Sequence, residues 1–398
     1  MDPMSEMKAA VMNTYKRQPI AFVRGEGAWL FDSRSEKYLD ALSGISVCSI
    51  GHANPDVTQA LSEQAGTLIH TSNLYRIPLQ ETLAEKLCDV SGMNKVFFCN
   101  SGAEANEAAI KICRRHAANR GIKNPLIVVM EGGFHGRTLA TLSATGNPKV
   151  REGFDPLVQG FVRIPYGDAQ ALRRLAGERH DIVAVMLEPV LGEGGIVIPP
   201  KGYLREVRDL CDENGWLMVL DEIQSGMART GRWFAWQHEE TRPDIMTLAK
   251  ALGNGIPIGA CLAAGHCAEI FTPGNHGSTF GGNPFAARAG IAVLDYIERH
   301  DLLARAKILG ERMLSGFKEA LGMTPGVKEI RGLGLMLGIE LDRDCGDLVS
   351  RALQEHLLIN VTAGNVVRLL PPLIISDAEA ELIVQRTVAS IKAFLSGG

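Results

Sequence analysis

Nowhere does the 398-residue chain hold a run of about eighteen continuous apolar residues, the minimum for a membrane-spanning helix; its longest apolar runs are cut short by proline or charge. It has no excess of one charge sign either: 41 basic residues stand against 45 acidic ones, a net charge of −4, which leaves no footprint for a nucleic-acid backbone or an anionic membrane surface. Its eight cysteines, at 48, 88, 99, 113, 211, 261, 267 and 345, form no Cys-x-x-Cys pair and no cysteine–histidine cluster at zinc spacing. That usage predicts a reduced, cytoplasmic protein with no metal site. The opening MDPMSEMKAAVMNTYKR has no continuous apolar segment and no small-residue cleavage site, so it does not read as a signal peptide. Internal repeats, low-complexity linkers and a Walker motif are all missing. With 46% hydrophobic residues, what remains is a globular protein whose partners are small molecules.

Glycine is plentiful, at 43 residues, and gathers in short clusters at the ends of apolar runs, where it serves tight turns and close approach of backbone to a ligand. From about 95 to 265, β-branched runs alternate with helical patterns, the signature of an α/β fold with a mostly parallel sheet. Seven strand candidates begin at Lys95, Pro125, Phe161, Asp181, Trp216, Asp244 and Ile258. Helical spacing predicts helices over 103–118, stopped by Gly121, over 285–298 and over 302–321, followed by one strand in RGLGLMLGIEL. The first fifty residues read as strands and turns too poor in apolar residues to fold alone, so they are expected to dock on the C-terminal part. The division expected is an N-terminal segment, 1–50, a large domain, 51–310, and a smaller C-terminal domain, 311–398.

The most informative pair is Asp221 and Lys250. Asp221 ends the apolar run WLMVLD, at the C-terminal edge of the sheet where open α/β folds bind ligands. Lys250 follows the next run, DIMTLAK, and precedes glycines that admit a large group. A carboxylate that keeps a ring nitrogen protonated and a lysine that holds an aldehyde are what pyridoxal phosphate requires. Taken alone, the aspartate reads equally as a helix cap and the lysine as a surface charge; the pair favours the cofactor. In CNSGAEANEAAIK a helix opens after Ser101-Gly102-Ala103, a ready anion site for a phosphate, although an ordinary N-cap has the same pattern. In EGGFHGRT, Phe134 is placed to lie on a pyridine ring and Arg137 to pair with a carboxylate. GGFHG lacks the G-x-G-x-x-G spacing, which disfavours a nicotinamide oxidoreductase; His135 reads as a structural hydrogen-bonder, and HEE at 238 lacks a second histidine.

LEPVLGEGG, LDEIQSGMARTG, LAKALGNGIPIG and HGSTFGGNPFAA, in that order, resemble the class III aminotransferases, over essentially the whole chain. The resemblance implies a fold-type I pyridoxal-phosphate transferase, with a smaller α+β domain built from both termini. Lys250 is then the Schiff-base lysine, Asp221 the partner of the pyridinium nitrogen, and Gln224, preceded by Glu222 and Ile223, the neighbour of the ring 3-oxygen. Gly102 and Ala103 cradle the phosphate, Thr279 reaches it from the other subunit of a homodimer, and Phe134 stacks on the ring. Arg137, Ser278, Glu193 and Arg368 belong to the substrate site, with Glu193 a gate and Arg368 its partner. Within the class, CNSGAEANEAAIK and GGFHGRTLATLSATG are most like members that transaminate N2-acetylornithine with 2-oxoglutarate in arginine biosynthesis. Succinylornithine, N-succinyl-diaminopimelate, free ornithine and 4-aminobutyrate are competing donors. Ile45 stands where ornithine-using members carry a tyrosine, which disfavours free ornithine.

Overall fold

The computed structural model describes residues 10–397; the first nine residues of the expected N-terminal segment, which open the stretch read for a leader, lie outside them. All seven expected strands join one sheet, in spatial order Lys95–Cys99, Gly259–Ala263, Ile245–Leu248, Leu217–Asp221, Ile182–Leu187, Leu126–Met130 and Phe161–Ile164. Ile182–Leu187 and Leu217–Asp221 are buried at every position, because helices cover both faces; this is why they read as unbroken apolar runs and not as alternations. Gly259–Ala263 alone opposes its neighbours. The short link from Ala249 to Ile258 has no room for a crossover helix, so the chain turns back antiparallel.

The helix Gly102–Asn119 begins where the Ser101 hydroxyl accepts from the Glu104 N–H (3.2 Å), and buries Ala105, Ala108, Ala109, Ile112 and Cys113 against the sheet. Helices Pro284–Arg299 and Leu302–Leu321 follow, as their periodicity predicts.

Two smaller sheets complete the fold. In one, Phe22–Glu26, Trp29–Asp32 and Lys37–Asp40 run antiparallel in turn, and Leu357–Leu358 lies parallel to the last. In the other, the order is Val327–Leu333, Met336–Leu341, Val366–Leu369, Asn360–Thr362, all antiparallel. The single strand expected in RGLGLMLGIEL is instead the closing part of a hairpin that breaks at Gly334. There φ is +56°, and a Cβ would stand 2.5 Å from the Thr230 carbonyl carbon, so only glycine lets the hairpin tip rest on that loop.

That loop carries Arg229, fully buried and the meeting point of several segments. Its guanidinium donates to Ser46 Oγ (3.0 Å), Ser49 Oγ (3.0 Å), the Leu335 carbonyl (3.1 Å) and the Pro371 carbonyl (2.5 Å). Burial pushes its pKa down to about 9. Ser43 to Ser46 form a left-handed turn, with φ of +47°, +65°, +67° and +62°. Asp40 Oδ1 holds it by accepting from the N–H groups of Leu42 (2.9 Å) and Ser43 (2.8 Å). Among the described residues, no helix is long and apolar enough to cross a membrane.

Candidate active site

A cavity of about 400 Å³ opens at the C-terminal edge of the parallel strands. Gly102, Ala103, Phe134, Arg137, Asp221, Ile223, Gln224 and Lys250 all line it, so eight of the residues singled out in the sequence come together. The fold explains why: four segments, each leaving the same edge of one sheet, deliver them.

Asp221 is nearly inaccessible, at 3% exposure, and is fully hydrogen-bonded. Oδ2 accepts from Asn106 Nδ2 (2.7 Å) and lies 2.9 Å from His135 Nδ1, while Oδ1 accepts from the Ile223 N–H (3.1 Å). Burial would lower the pKa of His135, but the hydrogen bond and charge of Asp221 prevail and raise it. The imidazole beside Asp221 thus offsets part of the cost of burying the carboxylate. Lys250 sits in the left-handed region, φ +46°, at the opening of a short 3₁₀ turn. Burial lowers its ammonium pKa, only partly offset by Glu193.

Beside this cavity lies another of about 770 Å³, which shares Phe134 and Arg137 with it and is lined by Glu193. Glu193 Oε1 is 2.6 Å from Arg368 Nη1, and the Arg368 side chain is fully buried behind it. Neutral oxygens complete the arginine's shell: Asn360 Oδ1 accepts from Nε (3.1 Å) and Nη2 (2.8 Å), and Gln224 Oε1 from Nη1 (3.2 Å). Burial pushes the Glu193 carboxyl up, and the charge of Arg368 overrides this and holds it below the usual range.

Four expected residues stand elsewhere. The Glu222 side chain turns into the protein, accepting from Ser225 Oγ (2.5 Å) and the Trp236 N–H (3.0 Å), and burial pushes its pKa up to about 7. In a run of three residues leaving a strand, alternate side chains face opposite ways, so Ile223 and Glu222 do not share the cavity. Ser278 and exposed Thr279 line a separate surface cavity, although Ser278 Oγ is 3.3 Å from Asn100 Nδ2 at the rim of the first. Arg368 lines neither cavity directly. Ile45, too, is turned away: it packs against the cluster of Val190, Ile196, Met336 and Leu370, and Val47 takes the place on the cavity wall.

Sequence reasoning passed over Asn106 and Glu188. Asn106 is wholly buried in a helix face of Ala, Ile and Cys; it donates to Asp221 and to the His135 carbonyl (2.8 Å), and accepts from Thr247 Oγ1 (2.7 Å). A lone amide on an apolar face was its signal. Glu188 accepts from the Phe134 N–H (2.9 Å) and the Gly192 N–H (3.0 Å), tying the loop that bears Phe134 to the loop that bears Glu193. Burial, then the charge of Asp221, push it up to about 7.

The aminotransferase class-III pattern matches residues 10–391. The chain belongs to this family. The acetylornithine aminotransferase of Nitrosomonas europaea is 55% identical over 385 residues, 97% of this chain and 98% of its own. Among solved structures, the N-acetylornithine aminotransferase of Stenotrophomonas maltophilia superposes with a TM-score of 0.84 at 37% identity, covering 96% of this chain and 98% of that one. An ornithine aminotransferase of Toxoplasma gondii, described with pyridoxal phosphate at partial occupancy in its active site, superposes with a TM-score of 0.93 at 34% identity, covering 96% and 92%. The fold is that of the fold-type I transferases, and the cofactor of a class-III aminotransferase is pyridoxal phosphate.

The residues present fit that group. A Cβ on Gly102 would stand 2.7 Å from Ile223 Cδ1, so glycine keeps the floor of the cavity open at a helix N-terminus whose first N–H groups have no intrahelical partner. The buried Asp221 carboxylate, the Lys250 side chain and the Phe134 ring line the same cavity.

Proposed function

We propose that this aminotransferase moves the terminal amine of N2-acetylornithine to 2-oxoglutarate, giving N-acetylglutamate 5-semialdehyde and glutamate, a step of arginine biosynthesis. The observation that carries the reading is the charge state of the substrate pocket. Glu193 neutralises Arg368, while Arg137 pairs with no carboxylate among the described residues and has only the Phe134 ring, 5.6 Å from its guanidinium carbon. Where the two cavities meet, the site thus offers one unpaired arginine, Arg137, to a donor whose only carboxylate is remote from the amine that reacts.

When bound, pyridoxal phosphate supplies an electron sink and a carbonyl that exchanges amino groups. Lys250 would hold it and would carry the proton to and from the carbon that bears the amine; burial lowers its pKa, which favours the neutral form that this task needs. Asp221 would set a fixed negative charge for the ring nitrogen, Gly102 and Ala103 would take the phosphate, Phe134 would pack on the ring, and Gln224 would meet the ring oxygen. Arg137 holds the distal carboxylate in both half-reactions. Glutamate brings a second carboxylate beside the reacting carbon, and Arg368 takes it once Glu193 swings away.

The active site is completed in a homodimer, with Thr279 reaching the partner's phosphate. Exposed Leu74, Tyr75 and Phe280 support this, since Asn73 Nδ2 ties their two segments into one face through the carbonyls of Ser278 and Gly281, both at 3.0 Å. Residues 1–50 and 311–398 make the smaller domain, supported by the pairing of Leu39 and Asp40 with Leu357 and Leu358; helix Leu302–Leu321 carries the chain across the boundary. The enzyme works in the cytoplasm, in keeping with eight unpaired cysteines.

A panel of kcat/KM values for acylated ornithines, free ornithine and 4-aminobutyrate tests the reading. Acetylornithine should lead free ornithine and 4-aminobutyrate clearly; a win for either of these overturns it.

A further inference from the structure

The loop that bears Glu193 is a small hairpin, closed where Leu191 and Val197 exchange backbone hydrogen bonds (3.0 and 3.1 Å). Glu188 fixes its base through the Gly192 N–H (3.0 Å). The tip is fixed from a different quarter, the four-stranded sheet of the smaller domain. Arg331, in the strand Val327–Leu333, donates from Nε to the Ile196 carbonyl (2.9 Å) and from Nη2 to the Gly195 carbonyl (2.7 Å). Its third nitrogen, Nη1, pairs with Glu340 (2.7 Å) and Glu329 (2.6 Å), so a side chain only 10% exposed has every nitrogen engaged. On the other flank of the tip the Thr362 hydroxyl donates to the Glu193 carbonyl. The backbone held in this way is one the chain would not keep unaided: Ile196, fully buried and β-branched, stands at φ +51° in the left-handed region.

The same sheet supplies the partner of Glu193. Arg368 lies in Val366–Leu369, and Asn360, which accepts from its guanidinium, lies in the strand that also carries Thr362. Glu340, in Met336–Leu341, joins that pair of strands to the one bearing Arg331. One frame therefore sets both ends of the Glu193–Arg368 ion pair. The transamination described above uses neither Arg331 nor Thr362, and neither lines the inner cavity.

We propose that Arg331 and Thr362 are positioning residues for the gate: they pin the hairpin backbone to the sheet that carries Arg368, so that Glu193 opens and closes by turning its side chain alone. The room for that turn is present, since the side chain is 37% exposed and lines the outer cavity of about 770 Å³. Turning it breaks only its own contacts, whereas swinging the loop would also break the three hydrogen bonds from Arg331 and Thr362. A pinned carboxylate returns to the same 2.6 Å contact with Arg368 whenever the gate closes; on a loose loop it would meet the guanidinium for only part of the time.

The inference rests on the gate reading above, and a double-mutant cycle separates the two. Holoenzymes of the parent, Glu193→Gln, Arg331→Gln and Thr362→Val, and of the two latter changes each combined with Glu193→Gln, are followed in single turnovers with acetylornithine and with glutamate. Each of Arg331→Gln and Thr362→Val should slow the acetylornithine half by about three- to tenfold and leave the glutamate half within about twofold. In the Glu193→Gln background, where no ion pair is left to position, either change should alter the acetylornithine half by less than about twofold. Equal losses in both halves, or the same loss in both backgrounds, would reduce Arg331 and Thr362 to supports of the fold and overturn the proposal while the gate stands. Equal losses in Glu193→Gln itself strike the gate reading, and the proposal with it. Thr362→Val exchanges a hydroxyl for a methyl, and it decides alone if Arg331→Gln, which strips two carbonyls and leaves Glu340 unpaired, yields no folded protein.

Discussion

Glutamine in place of Glu193 removes a charge from the substrate pocket and little else, which makes it the sharpest probe of how one site serves two substrates. The carboxylate lies 2.6 Å from the Arg368 guanidinium, whose remaining partners, Asn360 and Gln224, are neutral. Two unit charges about 4 Å apart between centres attract by about 4 kcal/mol at an effective dielectric near 20. The Glu193 side chain is 37% exposed, so solvent screening cuts this to roughly 1–2 kcal/mol. That is the cost of leaving Arg368 unpaired beside acetylornithine, and it predicts a loss of about tenfold in the first half-reaction of Glu193→Gln. The glutamate half should hold or improve, because Arg368 no longer has to be released from a carboxylate before it takes the substrate's. Single-turnover absorbance of the cofactor, followed separately with acetylornithine and with glutamate, reads the two halves. Equal losses in both would refute the gate and reduce Glu193–Arg368 to a structural ion pair.

Asp221→Asn should leave the fold in place but set an amide N–H₂ against the donors of Asn106, His135 or Ile223; a rate loss of several orders of magnitude, about 4 kcal/mol or more, is expected, and activity within about tenfold of the parent contradicts the electrostatic role. Burial works to lower the pKa of His52, yet its hydrogen bonds to Asp40 (2.8 Å) and Cys48 raise it from 6.5 to about 9. A raised folded pKa means stability present in full below the unfolded value and lost as pH climbs through about 9, up to about 3 kcal/mol. Urea midpoints measured from pH 6 to 10 should fall for the parent and stay flatter for His52→Gln, and parallel curves would dismiss this linkage. Arg229→Met should strip the Leu335 and Pro371 carbonyls of their donor and cost about 3 kcal/mol or more, whereas a shift below about 1 kcal/mol in chemical unfolding would deny Arg229 its linking role.

Much of the large sheet was legible because strands buried on both faces announce themselves as apolar runs, and because Asp221 ends one of them and Lys250 stands two residues beyond another. The hairpin in RGLGLMLGIEL was not, since Gly332 and Gly334 both interrupt an apolar run and nothing local says which one turns; contact with Thr230, a hundred residues away in sequence, decides it. Residues that act by pointing into the cavity were found through motif and edge position. Asn106 acts from behind the cavity wall, and Glu188, though it lines the cavity, was missed because it acts through hydrogen bonds to the Phe134 and Gly192 N–H groups; long-range pairings of that kind leave only a faint mark on one chain. Glu222, adjacent to two cavity residues, shows the converse error: nearness in sequence does not put a side chain on the same face.

The left-handed turn at Ser43–Ser46 bears on attempts to broaden the donor range. Of its four residues only Gly44 takes such a conformation freely; Ile45, β-branched at φ +67°, carries a standing penalty of roughly 1–2 kcal/mol. Asp40 and the hydroxyls of Ser43 and Ser46, bonded to the Leu370 and Gln224 carbonyls, hold it there. Position 45 is therefore a place where tailoring starts from a strained wild type. Asparagine or glycine would relax the backbone while opening the apolar cluster behind it, and a large aromatic would keep the strain and crowd that cluster, so libraries at this site should be sorted by folding yield before they are ranked by selectivity.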